Sequence, residues 1–180
     1  MIPAGYIAKR IAKKPDWLKA DQVIDIYSIS GCTSENFTDY VNYWKHNGYW
    51  LFDSPEIIKQ IAKDNSIDMS ETMFFYYEIY EFEFDEEENK WLSFEPESSF
   101  DTNVVVPIEK HLEGYDVTTF YTGTVPECSP LSCNSIAQEV PTNKHCLLNS
   151  FDEAKRHLEN GGFNNSEPGP YRIFAVYSLY

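Results

Sequence analysis

Two cysteines in one short loop are the residues of this chain best suited to chemistry by type and spacing. Cys128 and Cys133 lie in the loop 126–134, whose sequence PECSPLSCN stands between a predicted strand and a predicted helix. Ligands of α/β sheets bind beyond the carboxyl ends of strands, which is where such a loop lies. A helix N-terminus lowers the pKa of a thiol because its dipole stabilises the thiolate, and we expect Cys133 to occupy that position.

His145 and Cys146 follow on the next predicted strand, and with them the loop offers three alternative sites. In the first, a nucleophilic cysteine works with His145 as its base. In the second, Cys128 and Cys133 form a redox pair. In the third, Cys128, Cys133 and His145 bind zinc, with Cys146 as an optional fourth ligand. The spacing is C-x4-C instead of the usual C-x2-C. Because free cysteines are among the most buried residues, the simplest interpretation is buried structural thiols.

Glu78 is a second candidate because it interrupts an aromatic strand. Every second residue from Phe74 to Phe84 is aromatic except Glu78. A carboxylate buried among aromatic rings has a raised pKa and can serve as a general acid or base. The alternative, which we favour, is a structural ion pair, and Arg172 on the matching face of the last predicted strand is the expected partner.

The charge of the chain is strongly negative and unevenly distributed. The 14 basic and 29 acidic residues give a net charge of −15, yet residues 1–19 hold five basic residues and one acidic residue. We therefore predict a basic N-terminal arm over 1–19 that docks on the acidic body, with targeting or partner binding as the alternative. The acidic body excludes a general nucleic-acid binder. It favours a partner protein with a basic surface, because complementary charge speeds association.

Composition excludes several further classes of protein. A chain of 180 residues forms one domain or two small ones with a shared core, and 42% hydrophobic residues exclude disorder of the whole chain. No apolar run approaches the roughly 20 residues of a membrane helix. No signal-peptide core is present, so we expect reduced thiols in the cytoplasm. The sequence contains no Ser-centred elbow, phosphate loop or dinucleotide fingerprint, and it leaves open whether the protein is an enzyme.

Strand and helix patterns alternate along the chain. Strands are predicted at 23–27, 49–52, 73–84, 90–94, 103–108, 115–121, 146–148 and 171–180. The aromatic strand, the acidic turn 85–89 and the strand after it predict a β-hairpin. Helices are predicted over 35–46, 134–140 and 151–160, and from a Ser-Pro-Glu start at residue 54. Ser54 and Ser150 are the expected N-caps.

The order of these elements repeats. An offset of 96 residues pairs Cys32 with Cys128, Asn47 with Asn143, and Ser54 with Ser150, whereas the first strand needs an offset of 94, which pairs Val23 with Val117. We therefore predict an α+β or α/β fold. It has two similar β-α-β-α-β half-domains that share a mixed sheet, with a central antiparallel β-hairpin. The predicted half-domains are 20–98 and 115–180, joined by the linker 99–114 in one compact unit.

Two main hypotheses of function follow from these features, and a third, an acidic mimic of nucleic acid, ranks below them because only the run 85–88 offers a row of carboxylates. The first is a non-enzymatic protein-binding module, similar in kind to inhibitors and immunity proteins, which needs no cofactor and binds a basic protein. The second is a thiol-dependent enzyme or a zinc-binding protein centred on Cys128, Cys133 and His145.

Overall fold

A seven-stranded sheet forms the centre of an α+β fold in the computed structural model, which describes residues 1–120 and 128–179. The strands of the described chain are β1 (Ile2–Arg10), β2 (Ala12–Lys13), β3 (Asp25–Ile26), β4 (Glu35–Asn36), β5 (Thr72–Ile79), β6 (Phe82–Asp85), β7 (Lys90–Ser93), β8 (His111–Thr119) and β9 (Tyr171–Ser178). The α-helices are α1 (Pro55–Asn65), α2 (Pro130–Cys133) and α3 (Phe151–Glu159), and 3₁₀ turns form at Phe37–Tyr40 and Ile136–Gln138.

Every strand pairing in the described chain is antiparallel, so the predicted mixed sheet is wrong in this respect. The strands β1, β5, β9 and β8 lie side by side in that order, and β4 continues the sheet beyond β1. The predicted hairpin forms from β6 and β7, but it lies at an end of the strand order instead of the centre. The predicted long aromatic strand over 73–84 is interrupted at Tyr80 and Glu81, so that β5 forms its first part and β6 its second.

The N-terminal residues belong to the sheet and do not form a separate arm over 1–19. Strand β1 pairs with β4 on one side and with β5 on the other. Its residues from Ala4 to Lys9 are buried, including the side chain of Lys9. The prediction failed because a count of charges assigns every lysine to solvent, whereas the Lys9 ammonium group lies inside the fold against the carbonyls of Tyr27 and Ser28 and the ring of Phe75.

The two predicted N-caps are confirmed. Ser54 Oγ accepts a hydrogen bond from Ile57 N at 3.4 Å and begins α1. Ser150 Oγ accepts one from Glu153 N at 3.2 Å and begins α3. These hydroxyls satisfy backbone donors that have no partner inside the helix. Each cap therefore sets the residue at which its helix begins.

Other predicted elements are much shorter than expected. The helix predicted over 35–46 is reduced to the 3₁₀ turn Phe37–Tyr40, and the backbone is left-handed at Tyr43, with φ +64°. The aromatic and β-branched residues of this stretch have low helix propensity, so the helical conformation ends after one turn. The stretches 49–52 and 146–148 contribute single bridges, from Phe52 to Tyr6 and from Leu148 to Tyr115.

Asn47 and Asn143 build two turns of the same construction. Each donates from Nδ2 to a strand carbonyl, Asn47 to Ala4 O at 2.8 Å and Asn143 to Glu113 O at 2.7 Å. Each Oδ1 then accepts from the backbone N–H groups two and four residues later. The side chain thus replaces the backbone partners that a regular element would supply.

A glycine faces each of these turns. Gly5 on β1 and Gly114 on β8 have φ +131° and +149°, a conformation that side chains disfavour. A Cβ on Gly5 would lie 2.6 Å from Phe52 O, and one on Gly114 would lie 2.7 Å from Leu148 O. The backbone of the turn therefore approaches the strand to a distance that only glycine allows.

Two apolar clusters pack against the sheet. One is centred on β1, β5 and α1, and the other on β8, β9 and α3. Their largest fully buried side chains are aromatic, among them Tyr6, Tyr76, Tyr77, Tyr171 and Phe174. None of the helices in the described residues has the length and hydropathy needed to cross a membrane.

Candidate thiol site

Three cysteines meet at one point of the fold. The Sγ atoms of Cys32, Cys128 and Cys133 all lie within 4.8 Å of one another. Cys32 is exposed, Cys133 is half-buried and Cys128 is buried. The thiols line a cavity of about 480 Å³. Its other lining residues are Trp17, Thr33, Thr119, Asn134 and Glu167. We call this group of three cysteines the thiol site.

Two loops supply the three cysteines. Cys32 lies between β3 and β4, and Cys128 is joined to the end of β8 by a hydrogen bond from Thr119 N to Cys128 O at 2.8 Å. Cys133 is the last residue of the one-turn helix α2. The expected helix N-terminus at Cys133 is therefore wrong, because Pro130 begins the turn three residues earlier. Residues 126 and 127 of the predicted loop lie outside the described residues.

The three thiols interact with one another and with nearby polar groups. Cys128 Sγ donates to Asn134 Oδ1 at 3.3 Å, and Cys133 Sγ lies 3.6 Å from Ser30 Oγ. Hydrogen bonds from Cys128 and Cys133 lower the pKa of Cys32. Hydrogen bonds to Cys133 and Cys32, together with burial, raise the pKa of Cys128. These hydrogen bonds and the exposure of Cys32 both favour its thiolate over that of the buried Cys128.

Asp116 on β8 lies beneath the thiol site and contacts both loops. Its Oδ2 accepts from Ile29 N at 2.8 Å and from Ser129 Oγ at 2.7 Å. Its Oδ1 accepts from Val117 N at 2.9 Å. The side chain has no exposed surface, and burial raises the pKa of Asp116 to about 6. One carboxylate oxygen thus joins the segment before Cys32 to the segment after Cys128.

Lys9 extends this buried polar layer on β1. Its Nζ donates to Tyr27 O at 3.2 Å and to Ser28 O, and lies 4.9 Å from the ring centroid of Phe75. Burial lowers the pKa of Lys9 to about 7, and attraction to the Asp116 carboxylate partly opposes that effect. An ammonium group inside the sheet is costly unless hydrogen-bond acceptors surround it. Here two backbone carbonyls of the first thiol loop are the acceptors.

The donor set of the thiol site suits a thiophilic metal ion. Zinc binds thiolate at about 2.3 Å, so tetrahedral geometry places the sulfurs about 3.8 Å apart. The three Sγ atoms already lie within 4.8 Å, so binding requires small side-chain movements. Three sulfur donors also favour Zn²⁺ or Cu⁺ over magnesium or calcium, which prefer oxygen. The distances between the three sulfurs therefore suit a bound metal ion, even though the C-x4-C spacing of Cys128 and Cys133 is not typical of zinc sites.

The structure places His145 and Cys146 outside this group. His145 Nδ1 lies 2.5 Å from Asp25 Oδ1, its Nε2 lies 3.5 Å from Glu113 Oε2, and its ring stacks on Tyr27 at 3.9 Å. The imidazole therefore ties β3 to β8. Cys146 is fully buried in the second apolar cluster, and burial raises its pKa. Of the four predicted ligands, the structure brings Cys128 and Cys133 together and adds Cys32.

Glu78 forms an ion pair, as we favoured, but with a different partner. Its carboxylate accepts from Lys110 Nζ and, at 2.9 Å, from Tyr177 OH. Arg172, the expected partner, instead donates from Nε and Nη2 to Glu83 at 3.2 and 3.0 Å. The ring centroids of Phe94 and Phe120 each lie 3.8 Å from the Arg172 guanidinium carbon. The contacts of Glu78 with Lys110 and Tyr177 are therefore those of a structural ion pair, and Arg172 belongs to a separate one with Glu83.

The role of Cys32 was missed by reasoning from the sequence. Its loop is 96 residues before that of Cys128, and local patterns do not show that the two loops meet. The available signal was the predicted repeat, which pairs Cys32 with Cys128, since equivalent loops of two halves around an axis can lie close together. Predicting the contact also requires the strand order, because β8 and β1 position the two loops.

Comparisons with known proteins give no guide to function, since no family model, no curated protein and no solved structure matches this chain.

Proposed function

We propose that the protein binds a thiophilic metal ion, with Zn²⁺ as the first candidate, through Cys32, Cys128 and Cys133. The observation that carries the proposal is the approach of three Sγ atoms to within 4.8 Å of one another. In the described chain this is the one group of three or more potential ligands from His, Cys, Asp and Glu with such spacing. The net charge of −15 supports it, because a negative body attracts cations.

The test is metal titration of the reduced protein. Co²⁺, which replaces Zn²⁺ at sulfur sites, is added to metal-free protein, and Zn²⁺ is then used to displace it. We expect one equivalent to bind, with sulfur-to-cobalt charge-transfer absorption and the visible bands of tetrahedral coordination. Single alanine variants of Cys32, Cys128 and Cys133 should each weaken binding by at least about tenfold.

Cys146→Ala is the matched control, because Cys146 is a fully buried thiol outside the group. It removes one cysteine from the chain and should leave both stoichiometry and absorption unchanged. Equal loss of cobalt binding in Cys146→Ala and Cys32→Ala would refute the assignment. Absence of any tight binding by the reduced wild-type protein would refute the metal function itself.

Protein binding is a second proposal, and charge on one edge of the sheet supports it. Residues 81–101 hold nine acidic residues and one basic residue, and this stretch includes β7, which pairs only with β6 among the described strands. Part of that charge acts within the fold, since Glu86 accepts from Gly169 N at 2.8 Å and from Tyr171 OH at 3.1 Å. Salt-sensitive binding of a lysine-rich polypeptide, weakened by Glu87→Lys, would support the proposal. If Glu87→Lys leaves binding unchanged, the acidic stretch 81–101 is not the binding surface.

We also propose that the two halves arose by duplication, in a form that differs from the predicted one. The matching asparagine turns, facing glycines and serine caps support it. Tyr6 on β1 corresponds to Tyr115 on β8, because each forms an isolated bridge to the residue after its turn, Phe52 or Leu148. The predicted pairing of Val23 with Val117 does not hold, because Val23 lies in a loop whereas Val117 lies in β8. The first half is therefore β1, α1 and β5, and the second is β8, α3 and β9. An experimental structure in which these segments do not superpose would refute the proposal.

A further inference from the structure

Asp116 is the point at which the two thiol loops are joined. Cys32 lies three residues after Ile29, and Cys128 lies next to Ser129. Ile29 N and Ser129 Oγ both donate to the same oxygen, Asp116 Oδ2, at 2.8 and 2.7 Å. The side chains of Asp116 and Ser129 are fully shielded from solvent. The link is therefore a buried bridge through a single atom.

Few other contacts fix the first loop relative to the second. Ser30 N donates to Ser129 Oγ at the longer distance of 3.4 Å, and Ser132 Oγ donates to Ser28 Oγ at 3.3 Å. Ser30 Oγ also lies 3.6 Å from Cys133 Sγ. All three are contacts between neutral groups. Hydrogen bonds to an ionised carboxylate are about twice as strong. Asp116 therefore provides the strongest described polar link between the loops.

We infer that Asp116 is the positioning residue of the thiol site, which holds Cys32 within reach of Cys128 and Cys133. The inference rests on the proposed metal function, and it concerns how the ligands are held ready before the metal arrives. Groups that orient metal ligands are themselves important for affinity, and their loss typically costs about 10- to 100-fold in binding. Asp116 does so through loop backbone and a serine, without contacting the metal.

Asp116→Asn is the informative substitution because it preserves shape while changing the hydrogen-bonding pattern. Both carboxylate oxygens of Asp116 face backbone N–H donors, those of Ile29 and Val117. An asparagine has one acceptor and one donor, so either orientation of the amide directs an NH₂ group at a backbone N–H. The amide therefore either loses the bond from Ile29 N or keeps the loop bonds with its NH₂ group directed at Val117 N. In both orientations the neutral amide bonds the loops more weakly than the carboxylate does.

Glu113→Gln provides the matched control. Glu113 lies on the same strand, its side chain is 13% exposed, and its carboxylate accepts from Ser178 Oγ at 2.6 Å. It also lies 3.5 Å from His145 Nε2 and has no described contact with either thiol loop. Both variants remove one partly or fully buried carboxylate charge from β8. A difference between them isolates the link to the loops from a general loss of charge or stability.

The experiment measures two properties of each variant. The first is Co²⁺ affinity, with the intensity of the tetrahedral absorption bands. The second uses metal-free protein and the azo oxidant diamide, which takes two hydrogens from two thiols as the S–S bond forms, and is reduced to the hydrazine. Peptide mapping then gives the rate at which Cys32 forms a disulfide with Cys128 or Cys133, which reports loop proximity without any metal.

We expect Asp116→Asn to weaken Co²⁺ binding by about 10- to 100-fold and to reduce the tetrahedral bands. We expect it to slow disulfide formation at Cys32 by about tenfold, because the effective concentration of the partner thiols falls. Glu113→Gln should match the wild type in both measurements. If the wild type binds no metal but Asp116→Asn still slows disulfide formation, the metal function fails and the positioning role stands.

Wild-type rates of disulfide formation in both Asp116→Asn and Ser129→Ala would overturn the inference, whatever the metal result. If Asp116→Asn does not fold, Ser129→Ala replaces it. This variant removes the Ser129 bond to Asp116 and the longer bond from Ser30 N, and it keeps the bond from Ile29 to Asp116. Its effects should be smaller and in the same direction. If folded Ser129→Ala then has the Co²⁺ affinity and the rate of disulfide formation of the wild type, the role of Asp116 in joining the loops is refuted.

Discussion

The buried lysine of β1 gives the most direct test of the electrostatics beneath the thiol site. Lys9→Met replaces the ammonium group with an apolar side chain of similar length. Burial lowers the pKa of Lys9 to about 7 in the folded protein, against 10.5 for the ordinary group. Between these pH values the unfolded chain binds one more proton than the folded chain. Wild-type stability therefore rises with pH through this window.

The magnitude follows from the two pKa values. Each pKa unit corresponds to about 1.4 kcal/mol, and half of the folded molecules are already neutral at Lys9 near pH 7. From pH 7 to pH 9 this one group stabilises the wild type by about 2 kcal/mol. Lys9→Met has no such group. Its free energy of unfolding relative to the wild type should therefore fall by about 2 kcal/mol over the same interval.

Urea unfolding of both proteins at pH 7, 8 and 9, in reducing buffer of constant ionic strength, measures this difference. Titrating groups that do not interact with Lys9 are common to both proteins and cancel. Asp116 does interact with Lys9, and its pKa is raised further without the ammonium group, which increases the expected difference in the same direction. The loss of a donor to Tyr27 O and Ser28 O shifts the whole curve of the variant without changing its slope. Lys13→Met, at an exposed position, is the control and should show a constant difference. A constant difference for Lys9→Met would refute the burial of a neutral lysine.

Three further substitutions test the packing around the sheet. Ser150→Ala should lower the free energy of unfolding by about 1 kcal/mol, the usual cost of a lost N-cap, measured by urea denaturation; an unchanged midpoint would contradict the cap. Gly114→Ala should destabilise the protein more than an alanine at an exposed loop position, because its Cβ would lie 2.7 Å from Leu148 O; equal thermal midpoints would contradict the close approach. Arg172→Lys should lower the thermal midpoint, because lysine cannot make the forked contact with Glu83 between two rings; a wild-type midpoint would show that the guanidinium is replaceable.

The sequence predicted those parts of the fold that local patterns determine. Ser54 and Ser150 begin their helices as expected, because a cap depends on residues within one helical turn. The strands near β5, β8 and β9 also follow from aromatic and β-branched runs. Strand β1 was missed because its basic residues, Lys9 and Arg10, resemble part of a solvated arm. Its place in the sheet depends on pairing with β5, which lies more than 60 residues later.

The sequence also predicted only the part of the candidate site that lies within one loop. Cys128 and Cys133 share a loop, so the sequence shows that they are close. Cys32 reaches them because a buried carboxylate on β8 accepts hydrogen bonds from both loops. Asp116 has the sequence context of an ordinary residue in an amphipathic strand, and no local pattern indicates its burial. Long-range polar contacts of this kind require the three-dimensional structure.

The buried polar layer beneath the thiol site costs stability near neutral pH. Burial raises the pKa of Asp116 and lowers that of Lys9, which means that each group is less favourable as an ion inside the fold. Apolar side chains of similar size at both positions avoid this cost, and such replacements are often neutral or stabilising. Stability alone therefore does not account for the pair. Lys9 binds two carbonyls of the first thiol loop, and Asp116 joins that loop to the second. The two charged groups therefore lie where they contact both thiol loops, which is the arrangement that the proposed positioning of the cysteines requires.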